Sequence, residues 1–185
     1  MNNSCSYLGS VREYAAQLAA GNVQFDLNAP RVWEHNHCNI LAANGVLTLT
    51  VPLQKPSKGD KTPIKELLIS EHGDWTRIHW GAIFSAYGKA PFFDYIQDDL
   101  HAIYETHDRW LVDFNQRLHQ LVIDFLDLPI NKNIGNTPIL TNTVKDIEYY
   151  QLLRKNRSEF IPNLSIIDLL MNCGRESIIT LNKMG

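Results

Sequence analysis

The sequence predicts a single α/β domain, a small mixed sheet of about four to six strands with helices packed on it. Three observations carry this expectation. Ile40 to Pro52 has the alternation of a strand pair around Asn44-Gly45. Apolar residues recur at helical spacing near residues 11–19, 75–87 and 108–126. The chain has 185 residues, 44% of them hydrophobic, which suffices for one core. A three-layer sandwich is the first architecture expected. An α+β arrangement is the alternative, because helices dominate after Asp74. Residues 1–185 are read as one unit, with 129–185 irregular except for a short terminal helix.

In chain order, Ser10 and Glu13 form a capping box, each side chain satisfying an orphan amide at a helix start. Val11, Tyr14, Ala15, Leu18 and Ala19 line one face of that helix, and Gly21 ends it. Val23 to Phe25 is a short strand, reached by a right-handed crossover over parallel strands. The hairpin follows, with Leu47, Leu49 and Val51 on one face. Gln54 to Pro63 is an exposed loop carrying Lys55, Lys58 and Lys61, read as a solvated connection or as a lid meeting a phosphate. Ile64 to Ile69 is a strand pairing with Leu47 to Val51.

Asp74 caps a central helix with two apolar stripes: Trp75, Ile78, Ala82 and Ala86, then Trp80, Phe84 and Tyr87. Gly88 ends it in the left-handed conformation, and Pro91 opens the next helix. That helix, about Phe92 to Tyr104, buries Phe93, Ile96, Leu100 and Ile103. Asp108 caps an amphipathic helix to Leu126, with Leu111, Phe114, Leu118, Val122 and Phe125 as its core stripe and Asn115 facing water or a pocket. Beyond Pro129, Ile139-Leu140 is a strand candidate and Val144 to Leu153 a short helix or extended arm. Ser165 and Asp168 cap a helix from Ile166 to Asn172, closed by Gly174.

Bulk properties exclude several classes. A net charge of −3 argues against a nucleic-acid partner or an anionic membrane surface. No apolar run reaches the roughly 18 residues of a membrane span. Cys5, Cys38 and Cys173 are odd in number and widely spaced, so a reducing cytoplasm is expected and no disulfide framework. MNNSCSYLGS has neither the basic nor the apolar region of a secretion signal.

The polar stretch Asn28 to Ile40 is where chemistry is expected. On an extended segment His35 and His37 share one face, while Asn36 and Cys38 share the other. Three readings remain for the pair: polar side chains on an edge strand, ligand contacts, or metal ligands completed by His72, His79 or Asp26. No metal site and no cofactor are expected. Cys38 is read as a small core residue. His79 borders the buried face of its helix, either as a satisfied core histidine or, with Tyr87, as a pocket wall. The residues alone assign no nucleophile–base–acid triad and no phosphate-binding glycine loop.

The order Trp75, His79-Trp80, Tyr87, Ala90-Pro91-Phe92-Phe93 and Tyr95 resembles the middle signature of the WbqC-like family. Two more segments support the likeness. One is Arg31 to Ile40 with Asn44-Gly45 and the strand to Pro52. The other is Tyr150-Gln151, Phe160 and Pro162 to Leu170, with Asn172 and Gly174. The family is bacterial and often accompanies genes for O-antigen and other surface glycans. The resemblance implies an enzyme acting on an activated or nucleotide-linked amino sugar, by acyl or aminoacyl transfer. Arg31, His35 and His37 would hold its anionic part, with Asn36, Trp80 and Tyr87 lining the site. His79 would be the general base. A non-catalytic binding or assembly subunit, associated with glycan-biosynthesis enzymes, is the alternative, and a metal-dependent hydrolase a further one. Two departures matter. The family usually carries Arg-Asn-Arg where this chain has His35-Asn36-His37. Its Gln-Pro-x-Tyr-Phe-Pro type of loop is reduced here to Tyr7-Leu8-Gly9-Ser10. A deep pocket holding His35, His37 and His79 would favour the enzyme; scattered histidines beside a flat aromatic patch would favour the subunit.

Overall fold

The longest apolar stripe of the sequence becomes the longest helix. The structure, a computed structural model, describes residues 5–55, 61–133, 144–156 and 159–185. Helix α4 (Leu111–Leu126) buries Leu111, Phe114, Leu118 and Val122 as their spacing requires, with Phe125 only half-buried. Its N-cap is Trp110, not Asp108, whose carboxylate instead meets Arg117 and the hydroxyl of Thr106. Helix α1 (Val11–Ala20) starts on the expected capping box. Ser10 Oγ accepts from the Glu13 amide at 3.2 Å, and the Glu13 carboxylate takes the Ser10 amide. Gly21, at φ 66, ends it with a bond to the Leu18 carbonyl.

The fold is a mixed α/β single domain, yet among the described residues the strands form two separate pairs instead of one sheet of four to six. Strand β1 (Asn22–Gln24) pairs in parallel with β4 (Asn131–Asn133). Strands β2 (His37–Ala42) and β3 (Gly45–Thr50) form the expected hairpin. Its turn lies at Ala43-Asn44, and Gly45, at φ 128, already pairs with Ala42. The strand expected at 64–69 is absent, because the chain coils into a 3-10 turn at Ile64–Glu66 directly after Pro63. Only isolated bridges remain there, Leu53 with Ile69 and Leu68 with Trp110. Among the described residues no continuous sheet forms and hence no three-layer sandwich, and the helices share one core with the hairpin. Ile139-Leu140 and Lys58 lie outside the described residues.

Helix α2 (Trp75–Tyr87) has the expected limits but buries a different face. His79, Ile83, Ala86 and Tyr87 are inside, whereas Ile78 is 61% and Phe84 53% exposed. Both faces are apolar, so its neighbours, among them β2 and helix α3 (Gln97–Tyr104), decide the orientation. The side chain of Asp74 pairs with Arg77 instead of capping the helix. Gly88 is right-handed, not left-handed; it is needed because a Cβ there would lie 2.7 Å from the Phe84 carbonyl oxygen. The expected single helix from Phe92 divides into a 3-10 turn, Phe93–Tyr95, and α3.

The C-terminal part is more ordered in its bonding than the sequence suggested. Helix α5 (Ile166–Cys173) is capped by Ser165, and the unanticipated helix α6 (Ser177–Met184) packs on α1. Ser10 and Ser165 form a bridge: Ile166 donates to the Gly9 carbonyl and Val11 to the Leu164 carbonyl. The Ser165 hydroxyl reaches the Leu8 carbonyl at 2.8 Å. Asp168 is not a cap. It is buried and accepts from Tyr87 (2.9 Å), Tyr149 (2.7 Å) and Gln151 (3.0 Å), while Asn172 accepts from the Leu152 amide. Burial holds the Asp168 carboxyl above the usual carboxylate range, against those three donors. Thus the extended arm from Val144 is clamped to α5 and α2 by one side chain. Asp168→Ala orphans three buried donors and is expected to lower stability by about 2–3 kcal/mol in urea unfolding. Asp168→Asn, which keeps one acceptor, is expected to lose less; equal losses would show that the acceptors are not what matters.

Candidate functional site

The turn from Arg31 to His37 gathers most of the expected polar residues, but it sorts them to two sides. The chain makes a 3-10 turn at Trp33–His35 before β2 begins. Side chains there step by about 120° per residue, not the 180° of a strand. His35 and His37 therefore do not share a face. His35 is fully buried; its Nδ1 accepts from the Val32 amide at 3.1 Å, which places its proton on Nε2. Burial first, and the nearby Arg31 guanidinium second, push its pKa down to about 4. Asn36 is also inside, its side-chain Nδ2 donating to the Val51 carbonyl at 2.9 Å while its backbone carbonyl accepts from the Val51 amide. His37 lies outside. Its Nδ1 donates to the Trp33 carbonyl at 2.8 Å, and its ring stacks on Trp33 at 4.9 Å and 11°. Trp33 is 46% exposed and Arg31 half-buried, so this turn carries a stacked ring pair beside a guanidinium side chain. No group of three His, Cys, Asp or Glu suited to a metal occurs among the described residues.

The central helix turns His79 and Tyr87 into the core. His79 is buried, with Nδ1 2.8 Å from the Tyr7 hydroxyl, which in turn meets the Tyr104 hydroxyl at 2.5 Å. The other ring nitrogen bonds to the Thr50 backbone, a carbonyl that can only accept. The imidazole is therefore a bridge inside the core, and burial lowers its pKa to about 4 despite that bond. Tyr87 is enclosed too, donating to Asp168 and accepting from the Leu41 amide. Trp80 lies half-buried against Phe93 and His101. Cys38 is a buried core residue whose thiol burial pushes well above its ordinary range.

Two residues at this turn were not expected there. Asn115 is fully buried and donates to the carbonyls of Cys5 and His35, both at 2.7 Å, tying α4 to the N-terminal loop and to the turn. Its sequence signal was position: four residues after Leu111 and three before Leu118, it occupies the apolar stripe. Glu13 is the other. The loop before α1 covers it so closely that a Cβ at Gly9 would lie 2.7 Å from its Oε2. Tyr7 donates to the Glu34 carbonyl at 2.9 Å, bringing the turn alongside. Burial raises the Glu13 carboxyl to about 7, helped by the Glu34 carboxylate and opposed by the Ser6 hydroxyl and the Ser10 amide. Nothing in the capping box announces this, because the covering loop is a tertiary event.

The WbqC-like protein family model matches residues 16–143 and 139–180 of the chain. No curated protein and no solved structure matches it.

Proposed function

Since the chain belongs to the WbqC-like protein family, we propose that it is an enzyme of bacterial surface-polysaccharide biosynthesis acting on an activated, nucleotide-linked amino sugar, by acyl or aminoacyl transfer. The observation that supports this best is the outer side of the Arg31–His37 turn. A guanidinium offers charged, planar donors to a phosphate. The Trp33–His37 stack beside it offers a flat apolar surface to a base or sugar ring. In this reading His35 and Asn36 shape the turn from within. His79 holds Tyr7 in place and acts on no substrate, while Trp80 and Tyr87 fix α2.

The second reading is a non-catalytic subunit of a glycan-biosynthesis assembly. It is favoured by the dispersal of the histidines and by the exposure of Phe84 and Tyr95 around the α2 and Phe93–Tyr95 surface. A metal-dependent hydrolase has the least support, since it needs His35 and His37 on one face.

A panel of nucleotide sugars, titrated while melting is followed, separates the first two. The enzyme reading expects at least one member to stabilise the protein, and Arg31→Ala or Trp33→Ala to weaken that binding about tenfold. No stabilising member, or binding untouched by both changes, would turn the assignment toward the subunit.

A further inference from the structure

A second site lies apart from the turn, where the segment after the hairpin runs beside the segment before α2. A cleft of about 490 Å³ opens there, lined by Leu53, Gln54, Lys55, Ser70, Glu71 and His72. That volume falls within the roughly 300–1,000 Å³ of small-molecule sites. Its base is rigid. Leu53 bridges Ile69, Gln54 donates its amide to the Leu68 carbonyl at 2.9 Å, and Ser70 donates to the Pro52 carbonyl at 2.8 Å. The side chains are oriented as well. Gln54 Nε2 bonds the Ile69 carbonyl at 3.3 Å, leaving its Oε1 as an acceptor. Ser70 Oγ accepts from the His72 amide at 3.2 Å, leaving its O–H as a donor.

The charges decide the ligand class. Lys55 and Glu71 stand on this one cleft, and among the described residues neither is in an ion pair, with the other or with any third residue. A simple anion attracted by Lys55 would meet Glu71, and a simple amine attracted by Glu71 would meet Lys55. Only a molecule carrying both signs gains from both walls.

We propose that this cleft binds a small zwitterion, with an anionic oxygen group toward Lys55 and a protonated amine toward Glu71. Ser70 and Gln54 supply a neutral donor and acceptor between them. Two compound classes share that chemistry, amino-sugar phosphates and free α-amino acids. The site goes beyond the function proposed for the turn and uses none of its residues, so failure at one leaves the other standing.

The probes are glucosamine 6-phosphate and alanine, titrated by calorimetry into the intact protein. Their controls are N-acetylglucosamine 6-phosphate, glucosamine, N-acetylalanine and alanine amide. At least one zwitterion is expected to bind, with its single-charge controls tenfold or more weaker; which one binds names the source. Lys55→Ala is expected to remove the preference for the anionic group. Glu71→Gln is expected to remove the preference for the free amine. Both residues are exposed, so unchanged melting of the variants would confirm that they remain folded. Absence of binding by both zwitterions at millimolar concentration would overturn the proposal. So would equal binding of the acetylated compounds, or full binding by the doubly substituted protein.

Discussion

Acidification from pH 7 to pH 4 is expected to cost the fold roughly 3 kcal/mol for each of two histidines, His35 and His79. Both have folded-state values near 4, against about 6.5 when unfolded. A lowered value means that the unfolded chain takes up the proton first. Stability is thus full above pH 6.5 and falls as the pH drops toward 4. Glu13 works in the opposite sense. Its folded value near 7 lets the native state bind a proton before the unfolded chain does, which returns about 1–3 kcal/mol over the same window. The net expectation is a loss of about 3–5 kcal/mol, read from urea midpoints at pH 7, 6, 5 and 4.5. His79→Gln keeps one donor and one acceptor but cannot charge, so its curve should be flatter. Glu13→Gln removes the compensation, so its curve should be steeper. Wild-type midpoints that stay level to pH 4.5 would contradict the buried placement of both imidazoles.

Phe114→Ala is the substitution with the largest expected effect on stability, about 3–5 kcal/mol. The ring is 2% exposed and lies where three elements meet. Its centroid is 5.4 Å from Trp75 of α2, 5.5 Å from Tyr104 of α3 and 5.9 Å from Tyr7 of the N-terminal loop. The partners are locked by the His79–Tyr7–Tyr104 bonds, so they cannot collapse into the space left behind. Phe114→Leu should cost clearly less, because it fills much of the volume. Indistinguishable urea midpoints for wild type and Phe114→Ala would mean that α4 packs through another face.

The parts of this fold that were legible in the sequence are those fixed by local chemistry. The capping box of α1, the limits of α2, the stripe of α4 and the Ser165 cap each depend on residues within a few positions. What could not be read depends on partners far along the chain. Helix α2 offers two apolar faces, and only the arrival of β2 and α3 chooses between them. Asp168 looks like a capping residue until Tyr87 and Tyr149 are placed around it. The same division holds at the candidate site. The stretch was recognisable as a dense polar one, but His35 and His37 looked equivalent, and the 3-10 turn that separates them is held by Asn115, eighty positions away. Glu13 was invisible because its burial is made by Gly9 and the loop around it.

The bridge between Ser10 and Ser165 also bears on how the protein is made. The backbone bonds that secure the start of α1 come from residues 164 to 166, so during synthesis α1 waits for a segment that follows it by about 150 residues. At about 5–20 residues per second, that wait is on the order of 10 to 30 s. Meanwhile Val11, Tyr14 and Ala15 have no completed core to enter. An isolated helix of this length is marginal in water. The apolar face of α1 is therefore closed over only when α5 emerges.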